Sequence, residues 1–88
     1  RAEAQAKYAD AKVTFSGTEC AVDPKEMEQA NYTTIMLDND TDVRRTITVG
    51  AKSYSVGPRR YTLSWLNTGA GEVKVTCDSK EVATIVVK

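Results

Sequence analysis

Histidine is absent from this 88-residue chain, which removes the side chain most often used both as a general base near neutral pH and as a metal ligand. The remaining residues with chemical potential are Cys20 and Cys77, the oxygen-rich run Asp38-Asn39-Asp40-Thr41-Asp42, the pairs Arg44-Arg45 and Arg59-Arg60, and Met27 and Met36. The cysteines lie about 57 residues apart with no CxxC spacing, so zinc-finger and thioredoxin-type motifs have no support. A single disulfide is their simplest use, and in the chain-entropy model a loop of that length contributes about 4 kcal/mol. Two buried free thiols are the alternative.

Asp38, Asp40 and Asp42 alternate as the first ligands of an EF-hand loop do. The match then fails, because Val43 stands where the loop needs Gly and Val49 where it needs a bidentate Glu. The run therefore reads either as a weak calcium site or, more plainly, as a polar turn held by local Asp and Asn hydrogen bonds. Met27 and Met36 read as core or gap-filling residues. No nucleophile elbow, phosphate loop or placed carboxylate pair is present, so the chain is not expected to be an enzyme.

The arginine pairs, with Tyr61 and Trp65, imitate the aromatic and basic surface that binds single-stranded nucleic acid. Twelve basic and twelve acidic residues cancel, however, which withholds the electrostatic pull such binding needs. Ion pairing of the arginines with Asp38, Asp40 and Asp42 is the expected use, and Trp65 is expected to anchor the core, with an exposed binding role as the alternative. Asn31-Tyr32-Thr33 and Asn39-Asp40-Thr41 fit the glycan-acceptor pattern, which carries meaning only in a eukaryotic secretory route.

These residues must be positioned by one small domain, since a chain of this length holds a single modest core. Residues 1–11 are rich in helix formers and read as a frayed helical arm or a stalk toward an anchor or partner. The chain starts at Arg1 rather than Met, so a processed or trimmed N-terminus is expected. From Val13 the period becomes two, as in Tyr61, Leu63 and Trp65 or Val73, Val75 and Cys77. Strands are predicted near 12–16, 19–23, 31–37, 44–49, 53–56, 60–66, 71–77 and 82–87. Pro24 to Ala30 reads as a helical turn or an irregular crossing. Residues 12–88 thus form an all-β, antiparallel Greek-key sandwich of seven or eight strands. No stretch of about 18 apolar residues is present to span a membrane as a helix.

The order of segments over residues 12–88 resembles the cupredoxin-like family, with an immunoglobulin-like sandwich as the alternative. The resemblance rests on Val13-Thr14-Phe15, Asp23-Pro24, the strand Tyr32 to Leu37, the segment Asn39 to Val49, and Gly71 to Cys77. It implies a copper site at Arg44 or Arg45 and at Cys77 and Lys80, where the family carries histidines beside the cysteine. A type-1 copper centre needs two imidazoles and a thiolate, so the resemblance implies a fold without its metal and without a cofactor. It also implies that Cys20 and Cys77 meet at the former metal end, where a bridge would replace the metal.

Together these readings predict a non-catalytic, metal-free interaction or structural subunit of an extracytoplasmic assembly, at the surface, in the periplasm or secreted. A protein partner or an oligomer is expected, and nucleic acid is not. The alternatives are a small-ligand or calcium-binding module and a thiol/disulfide or vestigial copper redox protein.

Overall fold

The computed structural model describes residues 2–88; Arg1, part of the expected arm, lies outside the described residues. The elements are α1 (Ala2–Lys7), β1 (Lys12–Ser16), β2 (Ala21–Asp23), β3 (Glu26–Gln29), β4 (Thr33–Asp40), β5 (Arg45–Val49), β6 (Lys52–Val56), β7 (Arg60–Leu66), β8 (Gly71–Cys77) and β9 (Lys80–Val87). Two sheets face each other, with strand orders β2-β1-β4-β7 and β3-β9-β8-β5-β6. Alternation supplies the core between them: Val13 and Phe15, Ile35 and Leu37, Ile47 and Val49, Val73 and Val75, and Ala83 and Ile85 are buried on facing sides.

The sandwich differs from the sequence-based expectation in three ways. Among the described residues it has nine strands, because Glu26–Gln29 forms a strand and not a helical turn. A lone helical turn carries an unfavourable nucleus, whereas β9 offers an open ladder. Lys25 O accepts from Thr84 N at 3.0 Å and Gln29 O from Lys88 N at 2.9 Å, with Met27 turned toward the core. Second, the sheets are mixed and not purely antiparallel: β1 pairs with β4, and β3 with β9, in parallel. The chain crosses between sheets through the cis Asp23–Pro24 peptide and β3, and re-enters the first sheet running alongside β1.

The third difference concerns facing. Trp65 is not a core anchor; Thr62, Ser64 and Leu66 point inward, leaving Tyr61, Leu63 and Trp65 on the outer surface. A period of two shows that a strand has two faces and leaves open which one is buried. Register with β4 decides it, since inward Ile35 and Leu37 sit opposite Ser64 and Thr62. Strand β4 is buried on both faces, because Met36 and Asp38 are also shielded from solvent on the outer side. Gln5 Nε2 of α1 donates to Asp38 Oδ2 at 2.9 Å, and Ala11 O accepts from Met36 N at 2.8 Å. The N-terminal arm is therefore folded back onto the sheet.

Strand β4 also runs on through Asp38-Asn39-Asp40, which the sequence assigned to a turn. Asn39 is fully buried, and its side chain holds the strand end to two loops. Its Nδ2 lies 2.9 Å from Val43 O, 3.0 Å from Val56 O and 3.0 Å from Gly57 O, while Oδ1 accepts from Thr41 N and Thr41 Oγ1. Such engagement removes Asn39 from glycan chemistry. Asn39→Ala would strand several buried carbonyls, at a cost of about 1–3 kcal/mol for each group left unsatisfied. Denaturant unfolding of that variant is expected to show a lower midpoint at unchanged slope.

Candidate functional site

The loops at one end of the sandwich bring most of the singled-out residues together. The β1–β2 turn carries Cys20 in a left-handed backbone conformation (φ 55°), which aims its side chain at the last residue of β8. Cys20 and Cys77 are joined in a disulfide with their Cα atoms 6.5 Å apart, and both are buried. The bond links the edge hairpin of one sheet to the centre of the other.

Beyond Cys77 the chain reverses at once. Asp78 and Ser79 both have positive φ, 52° and 73°, and Cys77 is in register with Lys80 across them, as in a type I′ hairpin. Lys80 is therefore exposed and lies in the ladder of β9. Asp78 anchors this turn to β5: its Oδ1 accepts from Thr46 N at 3.0 Å, and its own N–H donates to Thr46 O at 2.8 Å.

Arg45 completes the junction. One Nη donates to Asp78 Oδ2 at 2.8 Å, the other to Gly17 O and Thr18 O at 3.1 Å each, and Nε reaches Thr41 Oγ1 at 3.4 Å. The planar guanidinium suits this task, since a single rigid group can address three chain segments. Arg44 turns the other way, donating to Ser55 Oγ at 3.2 Å on β6. Adjacent arginines at the start of a strand thus do separate jobs.

Asp38, Asp40 and Asp42 do not converge as the calcium reading requires. Asp38 lies beneath α1, while Asp40 and Asp42 share the guanidinium of Arg59, at 2.5 and 2.7 Å. Hydrogen bonds to Asp42 and then Asp40 raise the Arg59 pKa further above its usual value. A positive charge of the protein itself fills the position between those two carboxylates. Among the described residues no three metal-ligating side chains cluster.

The donor set does not fit a type-1 copper centre either. No imidazole exists in the chain, the Cys77 sulfur is bonded to carbon and sulfur, and the Arg45 and Lys80 side chains beside it in the chain's turn and ladder are cations. The expected ion pairing of Arg45 with the Asp38–Asp42 run is replaced by pairing with Asp78, a residue that sequence reasoning did not single out. Its signal was present in the backbone demand: Asp is one of the few residues tolerated at the positive φ of a two-residue hairpin.

A second surface feature matches the alternative reading of Trp65 and not the favoured one. Tyr61, Leu63 and Trp65 of β7, with Tyr32 beside Trp65 at 6.3 Å between ring centroids, form an exposed apolar stripe. The adjacent apolar pair Trp65-Leu66 was the available sign, because neighbours in a strand cannot both face the core.

Two outcomes follow from the junction. Replacing both cysteines by serine should remove about 4 kcal/mol of stability in the chain-entropy model, read as a lower melting temperature that reductant alone reproduces. The Asp78 carboxyl is held below its usual pKa, first by the Thr46 N–H and then by the Arg45 guanidinium. Its contribution is therefore complete above the unfolded-state value of about 4 and is lost as pH falls through the lower folded value. Asp78→Asn, which keeps the turn conformation, should be less stable than the parent at pH 7, and melting curves should converge at more acid pH.

No protein-family model matches the chain, and no curated protein sequence matches it. Solved structures do. A purple cupredoxin from Nitrosopumilus maritimus superposes with a TM-score of 0.68 at 16% identity, covering 89% of this chain and 99% of that one. Plastocyanin from Dryopteris crassirhizoma gives 0.70 at 12% identity, covering 89% and 100%. A copper-containing nitrite reductase from Thermus scotoductus gives 0.64 at 21% identity, where this chain spans 22% of the enzyme. The sandwich with parallel β1–β4 and β3–β9 pairs and the β8–β9 turn at the disulfide end is the cupredoxin fold, here without the ligands of a type-1 copper centre.

Proposed function

We propose that this protein is a metal-free, non-catalytic interaction subunit of an extracytoplasmic assembly. The observation that carries the reading is the Cys20–Cys77 bond. It withdraws the only thiolate a copper ion would use, and a buried disulfide of this kind persists in oxidising compartments. The neighbouring residues supply cations and backbone-directed hydrogen bonds in place of metal donors, and the surface residues Tyr32, Tyr61, Leu63 and Trp65 supply contact area. Aromatic side chains of this kind are enriched in protein interfaces. The calcium alternative is not favoured, because Arg59 bridges Asp40 and Asp42. The thiol-redox alternative is not favoured, because both sulfurs are buried.

Two measurements test this. Native mass spectrometry after incubation with Cu(I), Cu(II) and Ca²⁺ should return the metal-free mass with one disulfide; stoichiometric copper would overturn it. A photo-crosslinking residue at position 63, in the native host, should yield a discrete heavier adduct, and one at position 81 should not. Only uncrosslinked chain at both positions would refute the interaction role.

A further inference from the structure

The outer face of the first sheet carries an apolar patch that crosses two strands, and the N-terminal arm covers one side of it. Thr34, Met36 and Asp38 of β4 stand in register with Trp65, Leu63 and Tyr61 of β7, so their side chains are neighbours on one surface. Met36 is fully buried yet takes no part in the core between the sheets, whereas Leu63 beside it is 41% exposed. The arm makes the difference: α1 lies over β4, with Gln5 Nε2 donating to the carboxylate of Asp38, the next outward residue after Met36.

This cover is lightly built. Helix α1 has six residues, its apolar members are all alanine, and none of its residues is buried; a helix so short is unstable on its own in water. A turn at Tyr8 to Asp10 joins it to β1, tied by Ala11 N to Tyr8 O at 2.8 Å and by Gln29 Nε2 to Asp10 O at 2.9 Å. Beyond that turn Ala11 packs against the core and β1 begins. The fold thus supplies an anchored turn and, ahead of it, a segment that can lift while both sheets stay intact.

We infer that residues 2–8 are an autoinhibitory strap, which opens by local unfolding and lets the outer face of β4 join the Tyr61, Leu63 and Trp65 row as one docking surface for the protein partner. The seat of α1 already shows that this face of β4 accepts a covering chain segment, and the exposed row continues that seat. Lifting the strap uncovers Met36 next to Leu63 and widens a single row into a two-strand face. Methionine suits such a face, because its flexible thioether adapts to more than one contour. A partner that covers both strands binds the open form alone, so its apparent affinity is reduced by the fraction of chains that are closed. In the free protein the closed strap keeps the wider apolar patch out of water, where it would promote aggregation. The inference rests on the interaction role proposed above and concerns the regulation of that surface.

Met36 reports the opening, since hydrogen peroxide converts an accessible methionine to its sulfoxide. Met27, held between β3 and the core, serves as the internal control. Oxidation of each is followed by peptide mapping in the intact disulfide-bonded protein and in the double variant Ala4→Gly, Ala6→Gly, whose substitutions lie in α1 and outside the core. Each glycine lowers helix propensity, and the pair should raise the Met36 rate at least about ten-fold, while the Met27 rate and the melting midpoint stay as in the parent. Equal Met36 rates in the two proteins would overturn the inference, and so would a parallel acceleration of Met27, which marks opening of the whole sandwich. In the native host, a photo-crosslinking residue at position 63 should yield more of the heavier adduct in the glycine variant than in the parent. Unchanged adduct with faster Met36 oxidation would discard the gating and leave the interaction role standing; no adduct in either protein would discard both.

Discussion

One disulfide ties the two sheets of this sandwich together, at the end where its loops converge. A chain of 88 residues buries a smaller fraction of its unfolded surface than a larger domain does, so its core alone leaves a narrow margin over conformational entropy. The Cys20–Cys77 bond acts on that margin by restricting the unfolded chain. It also fixes the distance between the β1–β2 turn and the end of β8, the two elements that the Arg45 guanidinium then bridges. With the bond in place, Arg45 needs no mobile loop to follow it, and its hydrogen bonds to Gly17, Thr18 and Asp78 are made from prepositioned groups.

Polar organisation at this end proceeds from the inside outward. Asn39 is buried and engages main-chain atoms of the Val43 and Val56–Gly57 loops, Thr41 links Asn39 to Arg45, and Arg45 reaches the half-exposed Asp78. Each shell satisfies the polar groups of the one beneath it. Inner members matter most energetically, because an orphaned donor or acceptor costs more where water cannot replace the partner. The outer ion pair is screened and sets geometry more than stability.

Much of the fold was legible because alternation is a local signal. Eight of the strand segments were found by period and turn residues, and the cupredoxin-like order followed from them. Strand β3 was hidden because Glu26-Met27-Glu28-Gln29 has little β character of its own and is recruited by the open edge of β9. Parallel pairing was hidden because it depends on where the chain crosses between sheets. The outward facing of Trp65 was hidden because face selection comes from register with β4. At the site, the scarcity of metal donors could be read from composition, and the cysteine pair was one of two open readings. The division of labour between Arg44 and Arg45, and the role of Asp78, could not be read, since each depends on a turn that places distant residues together.

The position of the covalent bridge has one more consequence. Cys20 and Cys77 enclose β2 through β8 in a single closed loop, leaving α1, β1 and β9 outside it. The exposed Asn67 to Ala70 connection lies within that loop, and exposed connections are where proteases nick folded domains. A cut there leaves two pieces that remain one molecule, with β1 and β4 on the first piece and β8 and β9 on the second. Damage of this kind, which would dissociate a sandwich held by packing alone, is here reduced to a break in the chain within an intact particle.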